Sequence, residues 1–313
     1  MRITVLAGGV GAARFLQGLR AAHPQAAITV IGNTADDIWL HGLKICPDLD
    51  TVMYTLGGGI DAERGWGRSH ETYSVLTELD AYDFPPVWFT LGDRDIATHL
   101  VRTQLLDAGY GLDQVTAALC RRWQPGVDLL PMTNERVETH VVVETDEGRT
   151  AIHFQQWWVE HRAGLPAHEF RFIGIDAARP APGVLDAIRL ADVVVLPPSN
   201  PVVSIGPILA VPGIREAVET GPAPVVGVSG IVGGRPVKGM ADTCLAVVGV
   251  PADAASVAAH YGSRDAGGIL DGWVYETGDP PPAGIRSALA TSTLMIDTAA
   301  AAELARSAVG LVT

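Results

Sequence analysis

The sequence predicts an α/β fold in which helices cover both faces of a parallel sheet, with a smaller subdomain inserted into this core. Residues 3–6 and 28–31 are short apolar runs, residues 8–11 are rich in glycine, and residues 10–20 show helical periodicity. A strand, a glycine turn, a helix and a strand within about thirty residues indicate a right-handed βαβ unit, which requires a parallel sheet. Because apolar runs and helical patterns alternate again after residue 169, we expect a Rossmann-like three-layer fold.

The middle of the chain adds a third strand, two helices and a hairpin. Residues 87–91 are apolar and predict the strand, and residues 97–108 and 112–123 predict the helices that follow it. The Asp-Glu-Gly sequence at 146–148 is typical of a tight turn and separates two alternating runs, which predicts an antiparallel β-hairpin at residues 141–154. We assign this hairpin to the inserted subdomain.

The wound α/β pattern resumes after the hairpin. The elements that we expect there alternate between strand and helix, at residues 170–175, 184–190, 193–196, 208–218 and 224–228. Toward the C-terminus the pattern predicts a helix, two strands and a final helix, at residues 252–260, 269–275, 293–296 and 298–309. The chain therefore divides into a first part of the α/β core at 1–135, the insertion at 136–168 and a second part of the core at 169–313.

The composition limits the classes of function. Of the 313 residues, 48% are hydrophobic and 18% are charged, an apolar surplus that favours strands covered on both faces and a buried subunit interface. The 22 Lys and Arg residues against 35 Asp and Glu give a net charge of −13, which argues against sequence-independent binding to nucleic acid or anionic membranes. To bind a phosphate, such an acidic protein needs helix N-termini, a few arginines or a divalent cation at the site.

Cysteine usage and the N-terminus predict a cytoplasmic protein. Cys46, Cys120 and Cys244 are far apart and odd in number, as is typical of reduced thiols rather than of a disulfide framework. The glycines of residues 8–11 interrupt the N-terminal apolar run, which argues against a signal peptide. No apolar stretch approaches the ~20 residues of a membrane-spanning helix. We therefore expect no membrane partner.

A glycine-rich turn, formed by Gly8, Gly9, Val10 and Gly11, joins the first strand to the first helix. Glycines let backbone N–H groups approach a phosphate closely, and the helix N-terminus adds a partial positive charge. The turn lacks the Lys-Ser/Thr pair of a P-loop and fits the dinucleotide fingerprint only loosely. We predict a phosphate site here; the alternative is that the glycines serve close packing of strand against helix.

Acidic residues follow the second strand and recur a few positions later. Asp36 and Asp37 lie at the same carboxyl edge of the sheet as the glycine turn, and Asp48 and Asp50 belong to what we expect to be a long functional loop at 33–67. Mg²⁺ takes one or two carboxylates together with substrate phosphate oxygens, so we predict that Asp37 and Asp50 hold a metal that bridges protein and nucleotide. The alternative is that these aspartates form turns or cap helices.

A further polar block lies where the predicted third strand ends. Arg94 is a candidate to neutralise a phosphate, and Asp93 or Asp95 is a candidate to cap the next helix or bind a hydroxyl. His99 lies inside that helix and is a contact candidate, although a packed histidine is the commoner case.

Uncharged polar residues follow the apolar strand that ends at Leu196. Ser199, Asn200 and Ser204 offer short donors and acceptors that suit a phosphate, a ribose or a base edge near a helix start. The alternative is a proline-stiffened loop. Residues 228–234 end the next strand in a similar way and are candidates for the same pocket. No Ser-His-Asp order, HExxH motif or Cys/His cluster is present, so a hydrolase triad or a zinc site has no support.

Taken together, these blocks resemble those of one family. The chain is similar to the 2-phospho-L-lactate transferase family (CofD-type), and most closely to its actinobacterial phosphoenolpyruvate transferase branch (FbiA-type), in the blocks GGVG, NTADD, CPDLDTVMYTLGGGID, RGWG, LGDRDIATHL and PPSNPVVSIGPIL. The resemblance runs from the N-terminus to beyond residue 240, and PDLD and GDRD are its specific part.

This resemblance implies an enzyme that transfers a phosphoenolpyruvyl or 2-phospho-L-lactyl group from a guanosine-diphospho donor to the deazaflavin alcohol Fo. The products are coenzyme F-420-0, or its dehydro form, and GMP. The resemblance also implies Mg²⁺ as cofactor, a Rossmann-like core and a homodimer.

The resemblance further implies roles for individual residues. Asp50 and Asp37 are the expected catalytic and metal-binding residues, and one of them is the expected base. The deazaflavin is expected to contact Asp50, Thr90, Leu91, Gly92, Asp93 and Arg94. The nucleotide and its phosphates are expected to contact Gly8, Gly9, Val10, Gly11, Asn33, Ser199, Asn200 and Ser204.

Two other classes of function fit part of the pattern. A non-enzymatic nucleotide-sugar sensor of the gluconeogenesis-factor type also carries an acidic pair after its second strand, but the PDLD and GDRD blocks argue against it. An NAD-dependent oxidoreductase would need a better glycine fingerprint than the one present.

Overall fold

The computed structural model describes all residues from Met1 to Thr313. Its strands are β1 (Arg2–Ala7), β2 (Ala27–Gly32), β3 (Ile38–Leu40), β4 (Leu43–Ile45), β5 (Asp128–Pro131), β6 (Glu138–Thr145), β7 (Gly148–His153), β8 (Ala167–Ile173), β9 (Val193–Leu196), β10 (Val225–Val228), β11 (Ile231–Val232), β12 (Arg235–Pro236), β13 (Gly272–Glu276) and β14 (Ser287–Thr291). Its α-helices are α1 (Val10–Ala22), α2 (Pro47–Leu56), α3 (Ser74–Ala81), α4 (Asp93–Asp107), α5 (Leu112–Trp123), α6 (Val184–Arg189), α7 (Gly206–Ala210), α8 (Ile214–Thr220), α9 (Ala241–Val247), α10 (Ala254–Tyr261) and α11 (Thr298–Gly310). Short π-helical turns occupy Gln156–Glu160 and Pro201–Ile205.

The centre of the fold is a sheet of seven strands in the order β14-β13-β10-β9-β1-β2-β5. All of its neighbouring strands are parallel. From β1 the chain moves outward through β2 to β5 and then returns to β9 on the opposite side of β1. The strand order therefore reverses between β1 and β9, and in open α/β sheets ligands bind at the carboxyl ends of the strands at such a point. The α/β, Rossmann-like fold expected from the sequence is confirmed.

Apolar residues on the two faces of the sheet belong to separate cores. Val193 and Val195 of β9 face one core, with residues of α1, α2, α5 and α11. Val194 and Leu196 face the other core, with residues of α6 to α10 and of the inserted subdomain. A continuous apolar strand such as β9 is thus buried on both faces, as a parallel strand between two helical layers should be.

The inserted subdomain is an antiparallel sheet in the order β7-β6-β8. The predicted hairpin corresponds to β6 and β7. The strand expected at 170–175 in the main sheet is instead β8, which pairs with β6. In β8 the half-buried Phe170 and Phe172 alternate with the exposed Arg171 and Ile173, a pattern typical of a strand with one solvated face. The small sheet therefore extends to Ile173, past the boundary expected at 168.

Three other expected elements differ from the structure. Residues 87–91 form no strand, and β5 occupies the third position on that side of the sheet. The strand expected at 293–296 is irregular, and β14 forms the sheet edge nearby. The helix expected at 208–218 is broken between α7 and α8, where Gly213 has a φ of 92° that favours glycine.

The segment expected to be a long loop at 33–67 contains the hairpin β3–β4 and the helix α2. Every residue of α2 from Leu49 to Leu56 is buried. Leu49, Val52, Met53 and Leu56 recur at helical spacing within it, a signal that the Gly, Asp and Pro residues on either side obscured.

None of the helices is both long and apolar enough to cross a membrane by itself; only the bent pair at 201–210 and 214–220 reaches that length and composition together.

Close packing of α1 against α11 depends on Gly18. A Cβ at this position would overlap the backbone carbonyl group of Ala301. We expect Gly18→Ala to lower the free energy of unfolding by about 1 to 3 kcal/mol, because overpacked helices must move apart. Urea denaturation measures this change. Gly310→Ala in α11 is the matched control, since a Cβ there meets no atom within 4 Å, and equal stability of the two variants would contradict the packing.

Candidate active site

Two carboxylate side chains extend from the first turn of α2 toward different parts of the site. The helix begins at Pro47, and its first turn carries Asp48 and Asp50, where the helix dipole favours negative charge. Residues two positions apart on an α-helix point in directions roughly 200° apart. Asp48 therefore faces the glycine turn, and Asp50 faces a separate pocket on the other side of α2.

The glycine turn and the loop after β9 meet where the strand order reverses. The N–H of Gly8 donates a hydrogen bond to Oγ of Ser199 at 3.3 Å. A Cβ at Gly8 would lie 2.6 Å from Oγ of Ser204, and a Cβ at Gly9 would lie 2.7 Å from Oδ1 of Asp48. The structure thus brings together Gly8, Gly9, Ser199 and Ser204, which we call the phosphate cradle, with Asp48 beside it.

The other residues predicted for the nucleotide border the cradle, and some have structural partners of their own. A Cβ at Gly11 would overlap the carbonyl oxygen of Pro198, so this glycine is needed for close packing of α1 on the loop. Asn200 uses Oδ1 to accept hydrogen bonds at 2.9 and 3.3 Å from the next π-helical turn, which it caps. Asn33 donates from Nδ2 to Oδ2 of Asp48 at 3.0 Å. Val10 begins α1. Their contact with a nucleotide stays a prediction.

Asp36 and Asp48 are a pair of carboxylates that no Lys or Arg side chain neutralises. Burial raises the pKa of Asp48 to about 7, and the charge of Asp37 adds to this, while the hydrogen bond from Asn33 opposes it. Burial, together with the charge of Asp48, also raises the pKa of Asp36 well above its ordinary value. Oδ1 of Asp36 has no hydrogen-bond partner. Beside the cradle, the pair therefore retains a proton or favours a bound cation.

We expect the raised pKa of Asp48 to make the protein less stable as pH rises. Between 3.8 and about 7, folded Asp48 retains a proton that the unfolded chain has lost, so the destabilisation is absent at low pH and complete above pH 7. Asp48→Asn keeps an acceptor for Asn33 but removes the charge. We expect the variant to have a higher free energy of unfolding than the unmodified protein. This difference should be larger at about pH 8 than at about pH 5, by roughly 1 to 3 kcal/mol. Urea denaturation at both pH values measures the difference, and a difference independent of pH would refute the raised pKa.

A second pocket opens on the Asp50 side of α2, and we call it the aromatic pocket. Its aromatic lining is Tyr54, Trp66, Tyr73 and Phe89, and its charged lining is Asp50, Arg64, Arg68, Glu71 and Asp95. Among the residues predicted for the deazaflavin, Asp50, Thr90 and Gly92 line this pocket. It therefore offers flat apolar surfaces next to hydrogen-bonding groups.

One wall of the aromatic pocket is held by two carboxylates, one at the start of α4 and one in the segment before α3, each of which caps the other's helix. The carboxylate of Asp93 accepts two hydrogen bonds at 3.0 Å from N–H groups in the first turn of α3. The carboxylate of Glu71 accepts two at 2.8 Å from N–H groups in the first turn of α4. Hydrogen bonds from Thr72 and Val75 lower the pKa of Asp93 to about 2. Asp93 thus caps α3, which precedes it, and not the following helix as the sequence suggested. Its contact with a deazaflavin stays a prediction.

Leu91 and Arg94, which were also predicted to contact the deazaflavin, do not line the aromatic pocket. Leu91 is buried in a small apolar cluster with Ile38, Leu40 and Ile45. The side chain of Arg94 is exposed, and its carbonyl oxygen accepts a hydrogen bond from Nη1 of Arg68 at 2.6 Å.

The charge of Asp50 is neutralised by Arg102, a residue that was not predicted from the sequence. Arg102 is 1% exposed, and its Nη2 pairs with Oδ1 of Asp50. Burial disfavours the charged guanidinium, but Asp50 outweighs this effect and raises the pKa of Arg102. His99 joins the network, with its Nδ1 at 3.0 Å from Nη1 of Arg102. Asp37 is neutralised separately by Lys44, whose Nζ lies 3.0 Å from Oδ2 of Asp37.

The spacing of polar residues in α4 was a usable signal for this network. Asp95, His99 and Arg102 are four and three residues apart, so they share one face of the helix. The hydroxyl of Tyr54 donates to Oδ1 of Asp95 at 2.6 Å and ties α4 to α2. Lys44 gave no comparable signal, because the hairpin that carries it was expected to be a loop.

We expect loss of the Arg102 guanidinium to destabilise the protein strongly. Arg102→Met keeps much of the side-chain volume but leaves Asp50 buried without a cation, which should lower the free energy of unfolding by about 3 to 5 kcal/mol. Arg94→Met in the same helix is the matched control, since that side chain is exposed. Urea denaturation at neutral pH gives both values. If the two variants were equally stable, Arg102 would not be what holds Asp50.

The inserted subdomain supports the acidic segment that follows β2. Nε2 of His153 donates to the carbonyl oxygen of Asp37 at 3.1 Å, and Nε2 of Gln155 donates to that of Asp36 at 3.1 Å. Burial, partly offset by the charge of Glu138, lowers the pKa of His153 to about 4, so its ring is neutral near pH 7. The insertion thereby fixes the backbone that places both aspartates.

The carboxylates fit a metal ion that also binds substrate phosphates. No three His, Cys, Asp or Glu side chains are close enough together to enclose a metal. Buried carboxylate oxygens of Asp36, Asp37 and Asp50 nevertheless lack hydrogen-bond partners. Mg²⁺ often takes one or two carboxylates and fills its shell with phosphate and water oxygens, so this donor set fits it. Lys44 and Arg102 already neutralise Asp37 and Asp50, and these two residues as the metal ligands stay a prediction.

A glycine turn with two serines at the switch point of a parallel sheet, and an aromatic pocket on the other side of α2, define an α/β protein with two candidate ligand sites side by side. The chain belongs to the 2-phospho-L-lactate transferase CofD family, whose model matches residues 3–309.

Similar proteins cover nearly the whole chain. A phosphoenolpyruvate transferase of Streptomyces griseus subsp. griseus is 62% identical over 317 residues, which span 99% of this chain and 98% of that protein. One of Streptomyces coelicolor is 60% identical over 316 residues, with 99% and 98% covered. One of Mycobacterium tuberculosis is 53% identical over 321 residues, with 98% and 97% covered. The family and these relatives identify the chain as an enzyme of the transferase class rather than a non-enzymatic sensor.

A solved structure supports the fold. The crystal structure of a UPF0052 family protein from Bacillus halodurans has a TM-score of 0.56 and 22% identity, and the match covers 89% of this chain and 81% of that one. At this level of identity the similarity concerns the fold alone.

Proposed function

We propose that this enzyme transfers a phosphoenolpyruvyl or 2-phospho-L-lactyl group from a guanosine-diphospho donor to a hydroxyl of the deazaflavin alcohol Fo, with release of GMP. The observation that carries the proposal is the position of α2 between the phosphate cradle and the aromatic pocket. A donor in the cradle and an acceptor in the pocket would meet at the first turn of α2. The relatives are named phosphoenolpyruvate transferases, which supports the proposed identity of the transferred group.

The cradle suits the diphosphate of the donor. The 13-residue helix α1 directs its N-terminus at this point, so its unpaired N–H groups attract phosphate oxygens. The hydroxyl groups of Ser199 and Ser204 lie against Gly8 and offer further hydrogen bonds. These groups supply positive potential locally in a protein whose net charge is −13.

The aromatic pocket suits the acceptor. Trp66 and Tyr73 offer faces for a planar ring system, and the guanidinium of Arg64 lies 5.5 Å from each ring centroid and orders both. Asp50 and Asp95 lie deeper in the pocket, toward α2. A ring stacked at the mouth would therefore direct a hydroxylated side chain toward Asp50.

The reaction needs one proton transfer and one displacement at phosphorus. In our proposal, Oδ2 of Asp50 accepts the proton of the attacking hydroxyl, since this oxygen has no hydrogen-bond partner and the nearby Nδ1 of His99 is 3.8 Å away. The hydroxyl oxygen forms a bond to the distal phosphorus, and the bond from that phosphorus to the bridging oxygen breaks, so that GMP leaves with the electron pair. Arg102 holds the other oxygen of Asp50 and fixes the carboxylate. Asp37, held by Lys44, would position the adjoining segment and share in binding metal.

Mg²⁺ is the cofactor that we propose, because buried carboxylate oxygens of Asp36 and Asp37 lack hydrogen-bond partners. When bound, it would neutralise charge on the phosphates during transfer. Of the predicted pair Asp37 and Asp50, Asp37 is the proposed ligand, through its unpartnered Oδ1, because Oδ2 of Asp50 takes the proton. Asp36 and Asp48 form a second candidate pair, because no side-chain cation neutralises them.

We also propose that the enzyme acts in the cytoplasm as a homodimer. Its three cysteines form no disulfide, as expected of a reducing compartment. The apolar fraction of 48% supports a buried subunit interface.

The direct test is turnover by the purified enzyme. With Fo, the guanosine-diphospho donor and Mg²⁺, we expect chromatography to detect GMP and a phosphodiester of Fo in equal amounts. Omitting Fo should suppress GMP release, and a chelator should abolish turnover until Mg²⁺ is restored. Parallel reactions with the enolpyruvyl and lactyl donors identify the group that is transferred. Absence of GMP with both donors, from protein that is folded by circular dichroism, would refute the proposal.

A further inference from the structure

Two cations without a carboxylate partner lie at the junction of the phosphate cradle and the aromatic pocket. Arg14 lies one turn beyond Val10 on α1, is exposed and forms no ion pair. Lys238 lies in the loop between β12 and α9, and its Nζ donates to the carbonyl oxygen of Arg64 at 2.8 Å. Partial burial and the charge of Arg14 lower the pKa of Lys238, as expected when two cations are close enough to repel.

Gly65 fixes where the ammonium group of Lys238 can lie. A Cβ at position 65 would be 2.8 Å from Nζ of Lys238 and 3.1 Å from Cγ1 of Val10. The φ of Gly65 is 78°, a conformation that favours glycine. The ammonium group therefore sits between the start of α1 and the wall of the aromatic pocket. One of its three protons binds the carbonyl oxygen of Arg64, and the other two are available to a ligand.

Lysine is rare in this chain, which makes its two positions informative. The 22 basic residues comprise 20 arginines and two lysines, Lys44 and Lys238. Lys44 neutralises Asp37, whereas Lys238 has no carboxylate partner. In a protein with a net charge of −13, carboxylates are available to pair with cations. Two adjacent cations that have no carboxylate partner repel each other, and an anionic ligand bound between them would offset this repulsion.

We infer that Lys238 and Arg14 form an oxyanion site that binds the donor where the phosphate cradle meets the aromatic pocket. This inference rests on the proposed function, in which the transferred group, with its phosphate and its carboxylate, lies at that junction. The ligand chemistry is a phosphoryl or carboxylate oxygen. The site would make the enzyme select donors with an acidic transferred group, because an uncharged group would leave both cations unpaired.

Binding titrations without Fo test the inference. Lys238→Met and Arg14→Met remove one charge each and keep much of each side chain, while Arg235→Met on the neighbouring strand β12 is the matched control for an exposed, unpaired cation. We expect Lys238→Met to weaken binding of the donor by about 10- to 100-fold, as loss of a charged hydrogen bond does. Arg14→Met should also weaken binding of the donor. Arg235→Met should change the dissociation constant of the donor by no more than about twofold.

Titrations with GDP and GMP identify which oxyanion binds. If Lys238→Met weakens binding of GDP as much as binding of the donor but leaves binding of GMP unchanged, the site binds the distal phosphate. If the variant weakens binding of the donor alone, the site binds the carboxylate. Both results support the inference, and it is overturned if Lys238→Met and Arg14→Met behave like the control with all three ligands. Because no step here requires turnover, failure of this inference is distinct from failure to release GMP.

Discussion

The withdrawal of two carboxylates from water on the first turn of α2 is the constraint on which the rest of the site depends. Asp50 is buried and Asp48 is half-buried. A carboxylate that loses its water must be paired, protonated or bound to a cation, and the two residues meet this requirement differently. Asp50 pairs with Arg102 and is held rigidly beside the aromatic pocket. Asp48 has only the amide of Asn33, shares its surroundings with Asp36 and has a raised pKa. One helix thus presents a neutralised carboxylate to the aromatic pocket and an unneutralised one to the phosphate cradle.

The topology of the sheet explains why the ligand sites converge on this helix. The loops after β1 and β9 separate at the reversal of strand order and leave room for the phosphate cradle between them. The inserted subdomain holds the backbone of Asp36 and Asp37 from the other side, through His153 and Gln155. The wall of the aromatic pocket is more peripheral, because α3 buries none of its residues and is held by the reciprocal caps of Glu71 and Asp93. Buried elements therefore hold the carboxylates, and a less buried segment encloses the aromatic pocket.

The sequence predicted the framework of the fold and the chain segments of the site, but not the pairing within it. The glycine turn, β9 and α5 could be predicted because each depends on the pattern of neighbouring residues in the sequence. α2 was missed because it is short and lies in a segment dense in Gly, Asp and Pro, although Leu49, Val52, Met53 and Leu56 recur at helical spacing. Residues 170–175 were placed in the wrong sheet because a half-buried antiparallel strand resembles a strand of the main sheet over so short a run. Arg102 and Lys44 become partners of Asp50 and Asp37 only through tertiary contacts, which local patterns do not encode.

The central claim is that α2 separates a nucleotide site from an acceptor site, and amide hydrogen exchange with each ligand alone tests it most directly. GDP with Mg²⁺ should slow exchange at residues 8–13 and 199–206, whereas Fo should slow exchange at residues 64–73 and 89–95. Protection of the same peptides by both ligands, or protection confined to the opposite end of the sheet, would contradict the account.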